Sequence, residues 1–388
     1  MTDPDRLPEA PHERLVAAPG ERRERSLRPG WSALAGMLVL VLALAAGIFV
    51  WRAMTPASAP PPTVPDLDTV VLAMPAEGFA NPDGPWVRIE VAPVRPGAND
   101  IAIWLTDLSG ADAAPPASGS VSVAPLTAEG AATAVAAQPG DDGRLIATIS
   151  IAEPGWQQIS AEVELADGHR VAAPFYLVAP DPNVTGFADI VIPKSDPAAE
   201  AVYERGLAAL TSLHRVRYWQ LIADGRGVAA LSDHAIDDGS GGKEPSFYFR
   251  AEGGLEAVII GPRRWVRQPG EEWVEQEASP MILPSEWGAE YAGATGFRLG
   301  RIENVDGEPS RVVTFIVPER QNPYVVPAWY AWWVGAESGE LRREVMVSRY
   351  HYMINEFHDI DAPLQIAPPI PTGAGSPAAT PVEDAASS

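Results

Sequence analysis

The chain has 388 residues, 28 basic and 51 acidic side chains, a formal net charge of −23 and no cysteine. So acidic a surface argues against nucleic acid, whose phosphates need Lys and Arg. The missing cysteines exclude disulfides, thiolate nucleophiles and thiolate metal sites.

Residues 1–30 are polar, Pro-containing and unpatterned, and read as a disordered cytoplasmic tail. Residues 33–50 carry no charged side chain and lie between Trp31 and Trp51. About 18–20 apolar residues make a helix of roughly 30 Å, enough to cross the hydrocarbon core. Arg6, Arg14, Arg22, Arg23, Arg25 and Arg28 precede it, and after Arg52 the next basic residue is Arg88. The positive-inside rule then predicts a single-pass signal anchor over 31–52, with the N-terminus cytoplasmic and the rest extracytoplasmic at the plasma membrane. The rival reading is a cleaved signal peptide, with Ala57-Ser58-Ala59 as its small-residue site. Residues 53–66 form a Pro/Ala linker.

Over 67–179 short alternating segments dominate: Val87-Ile89-Val91, Ile101-Ile103-Leu105, Val121-Val123, Ile146-Thr148-Ser150, Ile159-Ala161-Val163 and Phe175-Leu177. Pro-Gly, Ser-Gly and Asp-Gly pairs punctuate them. About seven such strands in about 110 residues predict an all-β, Ig-like sandwich. Pro93-Val94-Arg95-Pro96-Gly97-Ala98-Asn99, the strand ending at Asp107, Gly110, and Pro154-Gly155-Trp156 resemble the YtkA-like module, which also ends CopD-type copper-resistance proteins. In physical terms Pro96-Gly97 makes a turn, Asn99 bonds its own backbone and Trp156 plugs the core. The resemblance brings copper into view, but this region offers only His169 as a strong neutral ligand.

Residues 180–195 read as a linker, and 196–367 as an α+β domain. An amphipathic helix is expected over 197–214, capped by Ser195 or Asp196, with Pro197 at its first position. Val202, Leu207, Leu210 and Leu213 give its helical spacing. Strands follow to residue 357, and the Pro-rich linkers predict that the two domains fold independently. The helix, Phe247-Tyr248-Phe249-Arg250, Gly261 with Trp265 and Trp273, Val305-Asp306-Gly307, and Trp332-Trp333-Val334 through Gly339 resemble the LolA/LppX-like superfamily of periplasmic lipoprotein-carrier folds. That resemblance implies a curved antiparallel half-barrel with a covering helix and an apolar concavity. Residues 368–388 read as a disordered tail.

No nucleophile elbow, P-loop, Rossmann glycine pattern or HExxH occurs, so the reading is non-enzymatic. Two groups could bind something. Phe247 with Phe249, and Trp329 with Trp333, each share a strand face and could line a pocket for a hydrophobic, lipid-like ligand; the alternative is ordinary sheet–helix core. His351 and Met353 also share a face, and imidazole plus thioether suits cuprous copper; the alternative is a strand running into a solvated acidic loop. His358, Glu356, Asp359 and Asp361 form a second polar group there. The readings are a membrane-anchored carrier or binding module, a copper-handling accessory protein, and a structural or regulatory interaction protein without ligand. The sequence names no protein partner.

Overall fold

Among the described residues eight strands alternate before the first helix, and their buried faces explain why they pair. They are β1 (Val70–Pro75), β2 (Trp86–Ala92), β3 (Gly97–Thr106), β4 (Ser118–Pro125), β5 (Thr133–Pro139), β6 (Leu145–Ile151), β7 (Gly155–Glu164) and β8 (Arg170–Ala179). A computed structural model describes residues 69–127, 132–165, 167–180, 191–278, 280–318, 327–348 and 351–370. The expected tails, the anchor over 31–52, the 53–66 linker and most of the 180–195 linker lie outside the described residues. Among the described residues no helix is long and apolar enough to cross a membrane.

The order is β1-β2-β3-β6-β5-β4-β7-β8, antiparallel throughout. Residues 133–137 of β5 pair with β4, and Gln138 and Pro139 pair with β6, so β5 passes between two four-stranded layers. Val87, Ile89, Ile101 and Ile103 of one layer join Ile159, Ala161, Val163 and Phe175 of the other in one apolar core. Trp156 is buried in it, as expected. Asn99 is buried and donates to the carbonyls of Arg95 and Gly97, both at 2.8 Å. Gly97 holds φ +107°, which a side chain would strain. The expected face of β6 is wrong by one residue. Ile146 is 39% exposed, and Leu145, Ala147, Ile149 and Ile151 turn inward. Alternation fixes which residues share a face, but a one-residue slip exchanges the faces.

The helix α1 (Pro197–Thr211) starts on Asp196, whose side chain accepts from the Ala198 amide at 2.9 Å. It ends at Thr211, three residues before the expected end. Eleven antiparallel strands follow: β9 (Arg215–Ala223), β10 (Ala229–Asp237), β11 (Ser246–Ala251), β12 (Glu256–Ile260), β13 (Arg263–Arg267), β14 (Val274–Glu277), β15 (Thr295–Val305), β16 (Glu308–Val317), β17 (Ala328–Gly335), β18 (Leu341–Ser348) and β19 (His351–His358). A 3-10 helix (Pro284–Tyr291) separates β14 from β15. The sheet order is β14-β13-β12-β11-β10-β9-β19-β18-β17-β16-β15, an open half-barrel with β14 and β15 at its edges. α1 packs inside it against β15 to β18 and the 3-10 helix. Gly206 of α1 permits that approach, since a Cβ there would stand 2.9 Å from Val334 Cγ2. β18 and β19 pair antiparallel, with Ser348 opposite His351.

The outer face of the half-barrel meets the sandwich. One apolar cluster runs from Leu72, Met74 and Phe175 into Leu221, Val345, Val347 and Trp333. Polar groups pin the join. Arg343 Nη1 donates to Tyr176 Oη at 2.9 Å, and Arg301 Nη2 to Gln158 Oε1 at 2.6 Å. The Val71 amide donates to the Gly225 carbonyl at 2.8 Å. A shared core argues against independent folding of the two sheets, which the linkers had suggested. Burial pushes the Tyr176 phenol up to about 12, against the pull of the Arg343 charge.

Candidate functional site

Strand register sets what the concavity contains. On the inner face, direct partners form rows across the strands. One row runs Trp332, Glu344, Asn355, Gln220, Ser232. A second runs Phe315, Tyr330, Met346, Met353, Ile222. A third runs Phe357, Tyr218, His234, Phe249, Ala257, Val266, and a fourth runs Val216, Ile236, Phe247, Ile259, Arg264.

The half under α1 is filled. Tyr203 of α1 lies 4.7 Å from Phe297, 4.8 Å from Phe315 and 5.1 Å from Trp332 between ring centres. Tyr291 of the 3-10 helix sits 4.8 Å from Trp332, and Phe315 stacks on Tyr330 at 5.1 Å. All these rings are buried. The half formed by β19 and β9 to β13 differs. Tyr218, Gln220, Ile222, Phe247, Phe249, Ile259, Arg264 and Met353 are all half-buried.

The first row is polar and crosses the floor between the halves. Glu344 is 1% exposed, yet its carboxylate accepts from Tyr291 Oη at 2.6 Å, Trp332 Nε1 at 2.8 Å and Asn355 Nδ2 at 3.2 Å. Gln220 Nε2 donates to Asn355 Oδ1 at 3.1 Å. Three donors on one carboxylate satisfy a group that would otherwise be very costly to bury. Beside this belt His234 stacks on Tyr218 at 4.5 Å and touches Phe249 and Phe247 at 5.2 and 5.8 Å. Its Nε2 lies 2.8 Å from Ser232 Oγ, and its Nδ1 has no partner. Burial lowers its pKa to about 3, so the ring is neutral at ordinary pH. Burial, and then the charges of Glu290 and Glu344, raise the Tyr218 phenol.

The expected site residues divide. Phe247 and Phe249 lie on the inner face, in the open half. Trp329 and Trp333 do not join them. They lie on the outer face, where Trp333 is buried against Tyr176 at 5.1 Å and donates to Glu303 at 2.7 Å. β17 carries aromatics on both faces, so parity alone gives no sign of which pair faces inward; α1 selects Tyr330 and Trp332. His351 and Met353 share the inner face of β19, and Met353 Sδ sits 3.5 Å from the Gln220 amide nitrogen. Among the described residues no three His, Asp or Glu side chains gather as a metal site. The second polar group is spoken for. Glu356 pairs with Arg343, His358 stacks on Trp219 at 3.8 Å, and Asp361 accepts from the His214 and Arg215 amides, both at 3.0 Å. Sequence reasoning missed His234, whose strand mixes Ala, Ser and Asp with its apolar residues, and Arg264, one of two adjacent arginines.

Between the sandwich and the half-barrel lies a cavity of about 20 Å³ bordered by Leu72, Met74, Tyr176, Leu221 and Tyr352. It has room for little more than about one water.

No family model matches the chain, the YtkA-like one included, and no curated protein matches it. Several solved structures do. LprF from Mycobacterium bovis is 14% identical, with 45% of this chain and 99% of that chain covered and a TM-score of 0.38. Lipoprotein LppX from Mycobacterium tuberculosis is 15% identical, with 45% and 100% covered and a TM-score of 0.35. A LolA superfamily protein from Nitrosomonas europaea is 12% identical, with 44% and 94% covered and a TM-score of 0.21.

Proposed function

We propose that this protein is a non-enzymatic binding module that holds the apolar part of a lipid-like ligand on the open half of its half-barrel. One observation carries the reading: Phe247, Phe249, Ile222, Ile259 and Met353 stay half-exposed on a concave face whose other half is sealed by α1. Apolar side chains gathered on a concave surface beside a few fixed polar groups are the usual make-up of a ligand site. The sequence resemblance to LolA/LppX-like folds points the same way. For the first domain we keep the Ig-like reading, supported by its two layers and by Trp156 in the core. The chain is proposed to act outside the cytoplasm, tethered by residues 31–52. Protease added to spheroplasts should then digest the region beyond residue 52 and spare the tail.

The binding test is a titration of the purified full-length protein with Nile red, a neutral apolar dye. Micromolar binding that weakens in Phe249→Asp, with the melting curve retained, supports the module. No binding to the wild type leaves the alternative of an interaction protein, which the filled half of the barrel favours.

A further inference from the structure

Four arginines lie on β11 and β13, and three of them have acidic partners. Arg250 pairs with Glu252 at 3.4 Å. Arg263 holds Glu275 through two bonds of 2.8 and 3.0 Å and stacks on Trp265. Arg267 pairs with Glu256 at 2.7 Å and stacks on Trp273. Arg264 is the exception among these four. It is half-buried, no carboxylate pairs with it, and its Nε is shut off from water without a partner. Arg215 also has a buried Nε without a partner, but it shares the outer face of β9 with Arg217 and Trp219, whereas Arg264 lies on the concave face. A buried N–H left unsatisfied is destabilising. That position makes sense when another molecule supplies the acceptor.

Register gives the reason for the difference. Arg263 and Arg267 point to the outer face of β13, where Glu277 and Glu256 stand opposite them and Glu275 reaches Arg263 diagonally. Arg264 belongs to the inner face, opposite Ile259 and Gln276, and Phe247 and Ile236 continue the same row. A guanidinium thus ends an apolar row that runs inward toward the other half. From β13 to β9 are four strand spacings, about 19 Å along the sheet. Beyond them the buried Glu344 carboxylate would repel an anion. The trough therefore has a cationic rim, an apolar middle and an anionic far side.

Resting on the binding reading above, we propose that the ligand is an anionic amphiphile. Its acyl chain lies on Ile259, Phe247 and Phe249, and its carboxylate or phosphate is held by Arg264 with Gln276 beside it. The planar fork of arginine matches both headgroups.

The experiment displaces Nile red from the full-length protein with hexadecanoate, hexadecyl phosphate and the neutral hexadecanol. Wild type, Arg264→Gln and Arg263→Gln are compared, each with a melting curve. The expected result is at least tenfold tighter binding of one or both anions than of hexadecanol, with the better anion naming the headgroup. Arg264→Gln should abolish that preference while still taking hexadecanol and the dye, and Arg263→Gln should keep it. Equal binding of anions and alcohol by the wild type, or an anion preference that survives in Arg264→Gln, overturns the headgroup assignment and leaves the binding module standing. A wild type that takes neither dye nor ligand overturns both.

Discussion

The two halves of the half-barrel are built alike and end differently. Each carries inward aromatics on alternate positions of adjacent strands: Phe315, Tyr330 and Trp332 in one, Phe247, Phe249 and Tyr218 in the other. The first set is fully buried and the second half-exposed. What separates them is α1, which packs against β15 to β18. Alternating aromatics therefore make core or site according to what lies over them, and a strand's pattern says nothing about its cover.

The comparison can be broken by truncation. Phe315→Ala should destabilise the fold by about 3–5 kcal/mol, the usual loss for a buried ring. Phe249→Ala should lower stability by less than about 1.5 kcal/mol, since the ring is already in contact with water. Its effect belongs in Nile red affinity instead. Equal losses in urea unfolding would show that both halves are core.

Glu344→Ala ranks next, because it strands the Tyr291 hydroxyl and the Trp332 indole N–H on the closed side. Two unsatisfied buried donors predict a loss of about 2–4 kcal/mol. Glu344→Gln keeps an acceptor and should lose less.

Acid titration sharpens the comparison. His234 has a folded pKa of about 3 against an ordinary 6.5. Between those values the unfolded chain binds the extra proton, so the contribution of His234 to stability is full above about pH 6.5 and falls as the pH drops toward 3. His234→Phe should flatten the stability curve over that window relative to wild type, as measured by urea midpoints from pH 7 to 4. An unchanged slope would mean that water reaches the ring.

The smallest effect concerns the join. If the sandwich and the half-barrel share a core, fluorescence and circular dichroism should report one coincident unfolding transition. Arg343→Met, which removes the bonds to Tyr176 and Glu356, should lower the stability by about 1–3 kcal/mol without splitting the transition. Two transitions would restore independent domains.

These contrasts also mark what a sequence can disclose. Asn99, Gly97 and the Asp196 cap were legible because their partners lie within four residues. Strand alternation was legible for the same reason. The inward face was not, because it depends on distant layers: Ile146 and Trp333 were given the wrong side by one residue. Arg264 was illegible in a different way. Nothing local separates it from Arg263, and only the pairing of β12 with β14 across β13 gives one arginine a glutamate and the other none.

An open sheet has two ends, and each is a template on which another strand could grow. At β15 the template is already taken. The Phe297 carbonyl accepts from the Asp196 amide at 2.8 Å, and the Arg301 amide donates to the Leu126 carbonyl at 3.2 Å. At Gly300 a Cβ would come within 2.4 Å of that same oxygen, so the sandwich's own chain closes the edge. At β14 the strand is four residues long, exposed throughout, and carries Glu275 and Glu277. Shortness and like charge discourage a second copy from adding there. The half-barrel can thus stay open to a small ligand along its concave face without becoming the seed of a fibre.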